Sequence, residues 1–355
     1  MVYQIMRFRK YYDALRTNKS FLRANFSQKS KILNNIIQFF ISANKKSLIL
    51  NNKPVVAQIE PTSKCNLKCG MCVREKIGVP IGTMSFSDFK KILDKLDSLF
   101  KIHLSGQGEP FLNPDLLKMI EYANKKGITV HLTTNGTILT EKIIDGISKV
   151  DVGEIAVSID SPRKETYERI RKGAKFEKVI TNLKNLISKL KKEKRKTIVS
   201  IATVILKENI NDIPEFIKLA DKIGIEKVVF QTIQEKEDYM NKYGSKTKIQ
   251  AVSIFNKKLK EKIKEAKKLA KKHNITVIFD EEKSIGCIWP WRSIYITWNG
   301  NVTVCCKILD YRNPKIGNIL HEDIWDIWNN KSYQKFRRLL RERKAPIPCK
   351  GCNMV

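Results

Sequence analysis

From residue 55 onward the sequence switches repeatedly between two periodicities, and this alternation limits the fold more than any other feature. Strand-like apolar runs occur at VVAQIE (55–60), IHLSG (102–106), ITVHLTT (128–134), EIAVSID (154–160), TIVSIATVIL (197–206) and KVVFQTI (227–233). Helical patterns lie between them, near 86–99, 114–126, 140–149, 175–194 and 212–223, with Pro114 suited to open its helix just after Asn113. Six such repeats predict an α/β fold with a parallel sheet and right-handed crossovers, either open or curled into an incomplete barrel. In both arrangements the chemistry belongs at the C-terminal ends of the strands.

A chain of 355 residues has room for one large domain and a smaller one. It contains no run of 18 apolar residues, and its N-terminus MVYQIMRFRKYYDALR has neither an h-region nor a small-residue cleavage site. Neither a membrane span nor a secretory signal is expected. Of the eight cysteines, three lie near position 70 and five after position 286. With CxxC pairs and no export signal, they read as metal or redox chemistry in a reducing, cytoplasmic setting and not as a disulfide framework. The net charge of +32 raises three acidic partners: nucleic acid, anionic lipid, or an acidic protein or peptide. A solvated lysine-rich surface is the simpler reading, as in KKLKEKIKEAKKLAKKH from Lys257. No RNA-binding domain is recognisable, so nucleic acid is supported by charge alone.

The first strand runs directly into EPTSKCNLKCGMC, which holds Cys65, Cys69 and Cys72. A structural zinc site takes four protein ligands and disulfides take an even number of cysteines, so three thiols are an awkward set for either. Three thiolates suit three irons of a [4Fe-4S] cube and leave the fourth iron open for a small molecule. A zinc knuckle short of one ligand and three buried core thiols are the bland alternatives.

The stretch CNLKCGMC after the first strand of such a domain resembles the radical S-adenosylmethionine (radical SAM) superfamily. The resemblance implies a partial (βα)6 TIM-like barrel. It further implies that the amino and carboxylate groups of SAM chelate the open iron, and that one electron from the reduced cluster cleaves the sulfonium to a 5′-deoxyadenosyl radical. LSGQGEP, from Leu104 to Pro110, is similar to the family's Gly-Gly-Glu-Pro motif, with Gln107 inserted between the glycines. By that resemblance Gly106, Gly108, Glu109 and Pro110 hold the amino group of SAM. Physically, the glycines admit close backbone approach and Glu109 can pair with an ammonium. The resemblance also puts Asn135 of TTNGT, and Ser158 and Asp160 of SID, along the SAM pocket, the last two near the ribose. Turn and cap chemistry accounts for the same residues without a ligand. The residue before the last cysteine is commonly aromatic in the family and packs near adenine. Here it is Met71, whose thioether can cover the same face.

Residues 275–355 change texture, with short strands, turns, five cysteines and all five tryptophans. Cys287, the hairpin sequence WNGNV, Cys305 and Cys349-x2-Cys352 resemble the SPASM/twitch extension of radical SAM enzymes. The resemblance implies an auxiliary [4Fe-4S] cluster on Cys287, Cys305, Cys349 and Cys352. Cys306 is the spare thiol and an alternative to Cys305. A zinc ribbon also wants four thiolates.

The expected organisation is a basic leader (1–54), a radical SAM core (55–235), a connecting helix and strand (236–280, the helix at roughly 249–273) and an auxiliary-cluster domain (281–355). The leader carries eleven Lys or Arg and one acid, Asp13. Its KILNNIIQFFISANKK segment has helical period, with Ile32, Leu33, Ile36, Ile37, Phe40 and Ala43 on one side and Asn34, Asn35, Gln38, Ser42 and Lys45 on the other. This helix either docks on the core or meets an anionic membrane peripherally.

The expected function is functionalisation of a C–H bond by a SAM-derived radical, on a peptide, a protein or a small metabolite. Membrane lipid or nucleic acid is the alternative substrate, and a non-catalytic iron–sulfur electron carrier the alternative class. A ferredoxin or flavodoxin is the implied electron donor.

Overall fold

The structure, a computed structural model, describes residues 15–17, 19–232, 256–279, 287–308, 310–312, 314–350 and 352. The first fourteen residues of the leader, the last residue of the sixth predicted strand and the start of the connecting helix lie outside these. Nine strands form one sheet: β1 (Val56–Ile59), β2 (Lys101–Leu104), β3 (Thr129–Thr134), β4 (Glu154–Ser158), β5 (Ile198–Ile205), β6 (Lys227–Thr232), β7 (Thr276–Phe279), β8 (Ser293–Ile296) and β9 (Val302–Thr303). Their order is β7-β6-β5-β4-β3-β2-β1-β8-β9. Every neighbouring pair is parallel except the β8–β9 hairpin. The six predicted strands are thus consecutive neighbours, as right-handed βα repeats require.

The C-terminal region is continuous with this sheet. Val56–Ile59 of β1 pairs in parallel with Ser293–Ile296 of β8. Tryptophan side chains secure the attachment. Trp328 donates to the Asn52 carbonyl at 2.9 Å, and Trp291 to that of Ser47 at 2.8 Å. The buried Arg337 guanidinium lies over the Trp328 and Tyr333 rings, 4.8 and 5.0 Å from their centroids.

Helices α1 (Phe26–Lys45), α2 (Phe86–Lys95), α3 (Leu116–Lys125), α4 (Glu141–Lys149), α5 (Phe176–Lys192), α6 (Ile213–Ile223) and α7 (Lys257–Lys272) precede α8 (Lys331–Arg341). Side-chain caps start several of them: Ser85 accepts from Asp88 N, Thr140 from Ile143 N and Asn256 from Leu259 N. Pro114 falls in the turn leading into α3, where Asn113 accepts from Asp115 N at 2.9 Å. No helix among the described residues is long and apolar enough to cross a membrane.

The docked face of α1 differs from the sequence expectation. Ile32, Asn35, Ile36, Phe39 and Ser42 are buried, whereas Leu33 and Ile37 are exposed. Asn35 explains the rotation. Its amide donates to the Ser98 carbonyl at 3.2 Å and its oxygen accepts from Lys53 N at 2.8 Å, so a polar residue is satisfied inside the joint.

Along β2, β3 and β4 one face is uniformly buried and apolar, through Ile102, Leu104, Val130, Leu132, Ile155 and Val157. The opposite face carries His103, His131, Glu154, Ser200 and Lys227. The two imidazole rings lie 5.1 Å apart. Glu154 accepts from Lys227 Nζ at 2.7 and 2.8 Å and from Ser200 Oγ at 2.7 Å. His131 Nδ1 approaches Glu154 at 3.6 Å, but that carboxylate is already engaged by Lys227 and Ser200, so it does not hold a proton on the ring. Burial, aided by the nearby Lys101 and Lys227 cations, pushes His103 down to about 4 and His131 down to about 2. Arg292 adds to this at His103, and Glu154 opposes it there.

Both imidazoles are therefore neutral when folded and take up protons more readily when unfolded. Their contribution is fully present above pH 6.5 and is lost as pH falls towards the folded values. For His103 the loss should reach about 2 kcal/mol by pH 5. Denaturant melts at pH 7 and pH 5 should show a smaller drop for His103→Phe than for the parent chain. An equal drop would place the acid sensitivity elsewhere.

Candidate active site

The loop after β1 carries Cys65 and Cys69 half-buried and Cys72 exposed. It is held by its backbone. Lys68 N donates to the Lys172 carbonyl and Gly70 N to that of Ile170, both at 3.0 Å, while Cys72 N closes a turn on the Cys69 carbonyl at 3.1 Å. The anchor is the end of a short helix, Lys164–Ile170, that sequence periodicity did not reveal.

The loop after β2 packs against this one. Glu109 N donates to the Lys64 carbonyl at 2.8 Å. A Cβ on Gly108 would lie 2.3 Å from the Thr62 carbonyl oxygen, and one on Gly106 would lie 2.4 Å from Glu60 Oε2. Both positions therefore demand glycine. Pro110, buried, opens the 3-10 turn Pro110–Leu112.

Glu109 is 2 % exposed. Its Oε1 accepts from Thr134 Oγ1 at 2.7 Å and from Phe111 N at 3.3 Å, and its Oε2 accepts from Asn135 N at 2.7 Å. A carboxylate offers about four lone-pair sites, so about one is left for a further donor. Burial raises its pKa, against the lowering effect of these hydrogen bonds, the Asn135 bond foremost.

Asn135 joins the third strand's loop to the cysteines. Its Nδ2 donates to Asn66 Oδ1 at 2.9 Å and its Oδ1 accepts from Thr137 N at 2.9 Å. Its side chain thus braces the loop that holds Cys65. Ser158 and Met71 are half-buried.

Asp160 is fully buried, and both its oxygens are engaged. Oδ2 accepts from Arg171 Nε at 2.6 Å and Oδ1 from Val204 N at 2.8 Å. This geometry gives Asp160 the work of fixing Arg171. Arg171 in turn brings positive charge to Cys69. Burial pushes the Cys69 thiol up to about 11 and Arg171 opposes the rise, while burial also raises Cys65. The buried Tyr167 hydroxyl, which lies in the field of Arg171 and Cys69, has no hydrogen-bond partner among the described residues.

The second set of cysteines draws in from three segments. Burial pushes Cys287 up to about 11, and the charges of Cys305 and Cys352 add to the rise. Cys352 N donates to the Cys349 carbonyl at 3.0 Å, which closes the CxxC turn. Among the described residues no three His, Cys, Asp or Glu side chains converge tightly enough for a single metal ion.

Glu60, at the top of β1, ties the loop after β2 to strand β8. Its Oε2 accepts from Gln107 N and from Tyr295 Oη of β8, both at 2.8 Å. Just beyond β8, the Trp298 ring covers Gly82, where a Cβ would lie 2.3 Å from it, and its Nε1 donates to the Pro80 carbonyl at 3.1 Å. Glu60 and Arg171 were both missed in the sequence. Glu60 stands at the end of a strand, which was a signal; Arg171 gave none.

Residues 59–220 match the family model of the Radical SAM superfamily, and residues 287–353 match that of the SPASM iron–sulfur cluster-binding domain. The chain belongs to the radical SAM superfamily. It is a radical SAM enzyme with a C-terminal SPASM domain, and its cofactors are [4Fe-4S] clusters and SAM.

Among curated relatives, the chain is 26 % identical over 323 residues to the tungsten-containing aldehyde ferredoxin oxidoreductase cofactor-modifying protein of Pyrococcus furiosus, covering 83 % of this chain and 86 % of that one. It is 25 % identical over 328 residues to the AdoMet-dependent heme synthase of Methanosarcina barkeri, covering 86 % and 90 %. In fold it is similar to Streptococcus suis SuiB, in its crystal structure bound to the precursor peptide SuiA. The TM-score is 0.67 at 18 % identity, covering 85 % of this chain and 70 % of that one.

Proposed function

We propose that this radical SAM enzyme reductively cleaves SAM and uses the product to functionalise a C–H bond of a peptide, a protein or a small metabolite. The observation that carries the reading is the three-cysteine loop braced through Asn66 and Asn135 to Glu109, a buried carboxylate with about one acceptor site to spare. A purely electron-carrying protein has no use for a thiol set short of one ligand beside such an acid. Cys65, Cys69 and Cys72 would hold a [4Fe-4S] cluster, which when bound would supply the one electron that cleaves SAM.

The chain's own groups do the rest. Glu109 accepts from the SAM ammonium, and the Gly106 and Gly108 backbone lets the ligand approach closely. Asn135 fixes the cysteine loop, Ser158 and Met71 line the remaining pocket, and Arg171 offsets negative charge at Cys69. An auxiliary [4Fe-4S] cluster would be held by Cys287, Cys305, Cys349 and Cys352, with Cys306 the alternative to Cys305. The names of the relatives support both cofactor-sized and peptide substrates, and a ferredoxin or flavodoxin fits as electron donor.

The test is anaerobic incubation of the reduced holoenzyme with SAM and deuterated candidate extracts. Deuterium should appear in 5′-deoxyadenosine only when the right extract fraction is present. SAM cleavage with no deuterium transfer from any peptide or metabolite fraction would overturn the substrate class. An absence of SAM cleavage would overturn the reading itself.

A further inference from the structure

Helix α1 carries more apolar surface than its joint with the core uses. Ile32, Ile36 and Phe39 are buried in that joint, but Phe26, Leu33, Ile37 and Ile41 recur at helical spacing along a neighbouring face and are exposed, Phe26 by 87 %. This second stripe runs about 22 Å along the helix. Leu22 and Ile49, before and after this helix in sequence, are also more than half exposed. A single exposed apolar residue is ordinary on a soluble surface, but a continuous stripe marks an interaction site.

The charge around the stripe is of one sign. From Leu15 to Pro54 the chain has eight Lys or Arg and no acid. Arg23 and Lys31 reach back to Asp151 and Asp97 on the core, while Lys45 and Lys46 stand exposed at the end of the helix.

We infer that this face of α1 lies on an anionic lipid bilayer. The stripe enters the headgroup–acyl boundary and the lysines meet anionic headgroups. The arrangement matches this occupant better than the others. A second copy would bring an equally acid-free stretch from Leu15 to Pro54 and another +32 chain against the first, and like charges oppose such a contact. Nucleic acid answers the charge but gives an apolar stripe nothing to bury against. No described helix spans a bilayer, so the contact is peripheral. The docked face and the membrane face are separate stripes of one helix, so docking and lipid contact do not exclude each other. The inference is independent of the proposed radical chemistry.

The test uses the full-length holoenzyme with two sets of vesicles, phosphatidylcholine alone and equal parts of phosphatidylcholine and phosphatidylglycerol. The protein should co-sediment with the anionic vesicles only and be released as salt rises. The exposed-residue variant Leu33→Ser/Ile37→Ser/Ile41→Ser should bind about tenfold more weakly or worse. Lys45→Glu/Lys46→Glu should lose about tenfold. Both should cleave SAM in solution as the parent does, which separates lost binding from lost fold. Parent-like sedimentation of both variants would move the contact to another basic surface and overturn the inference. So would equal binding to both vesicle types, or a dimer of the parent chain that the serine variant dissociates. Failure of the parent to sediment at low salt would also overturn it.

Discussion

Cys69→Ala should abolish reductive cleavage of SAM, whereas Cys352→Ala should leave cleavage measurable and cut substrate turnover by about tenfold or more. The asymmetry follows from the two thiol sets. On the proposed reading the loop at Cys65, Cys69 and Cys72 provides three thiols in the sheet-end site that contains Glu109 and Asn135, so only there would an iron be left for SAM. Cys69 lies at the centre of this arrangement, with Gly70 pinned to the Ile170 carbonyl and Arg171 countering negative charge on the sulfur. Cys352 is proposed for the four-thiol set beyond β8. Its loss disturbs the auxiliary cluster but leaves the SAM loop and its glycines in place. Each variant should lose about four of the roughly eight irons of the parent. Iron and sulfide analysis therefore checks that the lesion is local, and anaerobic chromatography of 5′-deoxyadenosine reads cleavage. Complete loss of cleavage in both variants, with the untouched cluster intact, would contradict this division of labour.

The parallel core was legible because each strand is a short apolar run followed by turn residues and then a pattern of period 3.6. Local signals sufficed there because each βα repeat packs on its sequence neighbour. The pairing of β1 with β8 was not legible, since Val56 and Ser293 meet only after the whole core has been formed between them. The helix Lys164–Ile170 was hidden by its Ser-Pro entry, which reads as a bend. In α1 nearly every position in two turns is apolar or amide-bearing, so periodicity alone could not say which stripe docks. The decision came from Asn35, whose backbone partners Ser98 and Lys53 are remote or beyond the helix in sequence. At the site, the cysteines and the Gly-Gln-Gly-Glu-Pro loop were readable as motifs. The task of Asp160 was not, because its partner Arg171 lies eleven residues on, past a helix that the sequence pattern did not mark.

Glu109→Gln should weaken SAM binding about tenfold or more, since a charge-assisted hydrogen bond contributes on the order of 1.5–3 kcal/mol. Two separate losses lead to that expectation. The neutral amide no longer attracts the ammonium of SAM. The amide also fits its own surroundings poorly, because every partner of the carboxylate in the structure is a donor: Thr134 Oγ1, Phe111 N and Asn135 N. Whichever way the glutamine amide turns, its NH2 faces a donor and loses an acceptor position in a nearly water-free site. Thr134→Val provides the comparison. It removes one of these hydrogen bonds but keeps the charge, so its effect on SAM affinity should be about fivefold, near the 1 kcal/mol of an ordinary hydrogen bond. Anaerobic titration with SAM, read by the electron paramagnetic resonance of the reduced cluster, gives both affinities without requiring turnover, and thermal melts report any general loss of fold. If Glu109→Gln binds SAM as the parent does while Thr134→Val is weakened, the carboxylate serves the loop and not the ligand. The ammonium of SAM must then be held by backbone carbonyls of the Gly106–Glu109 turn alone.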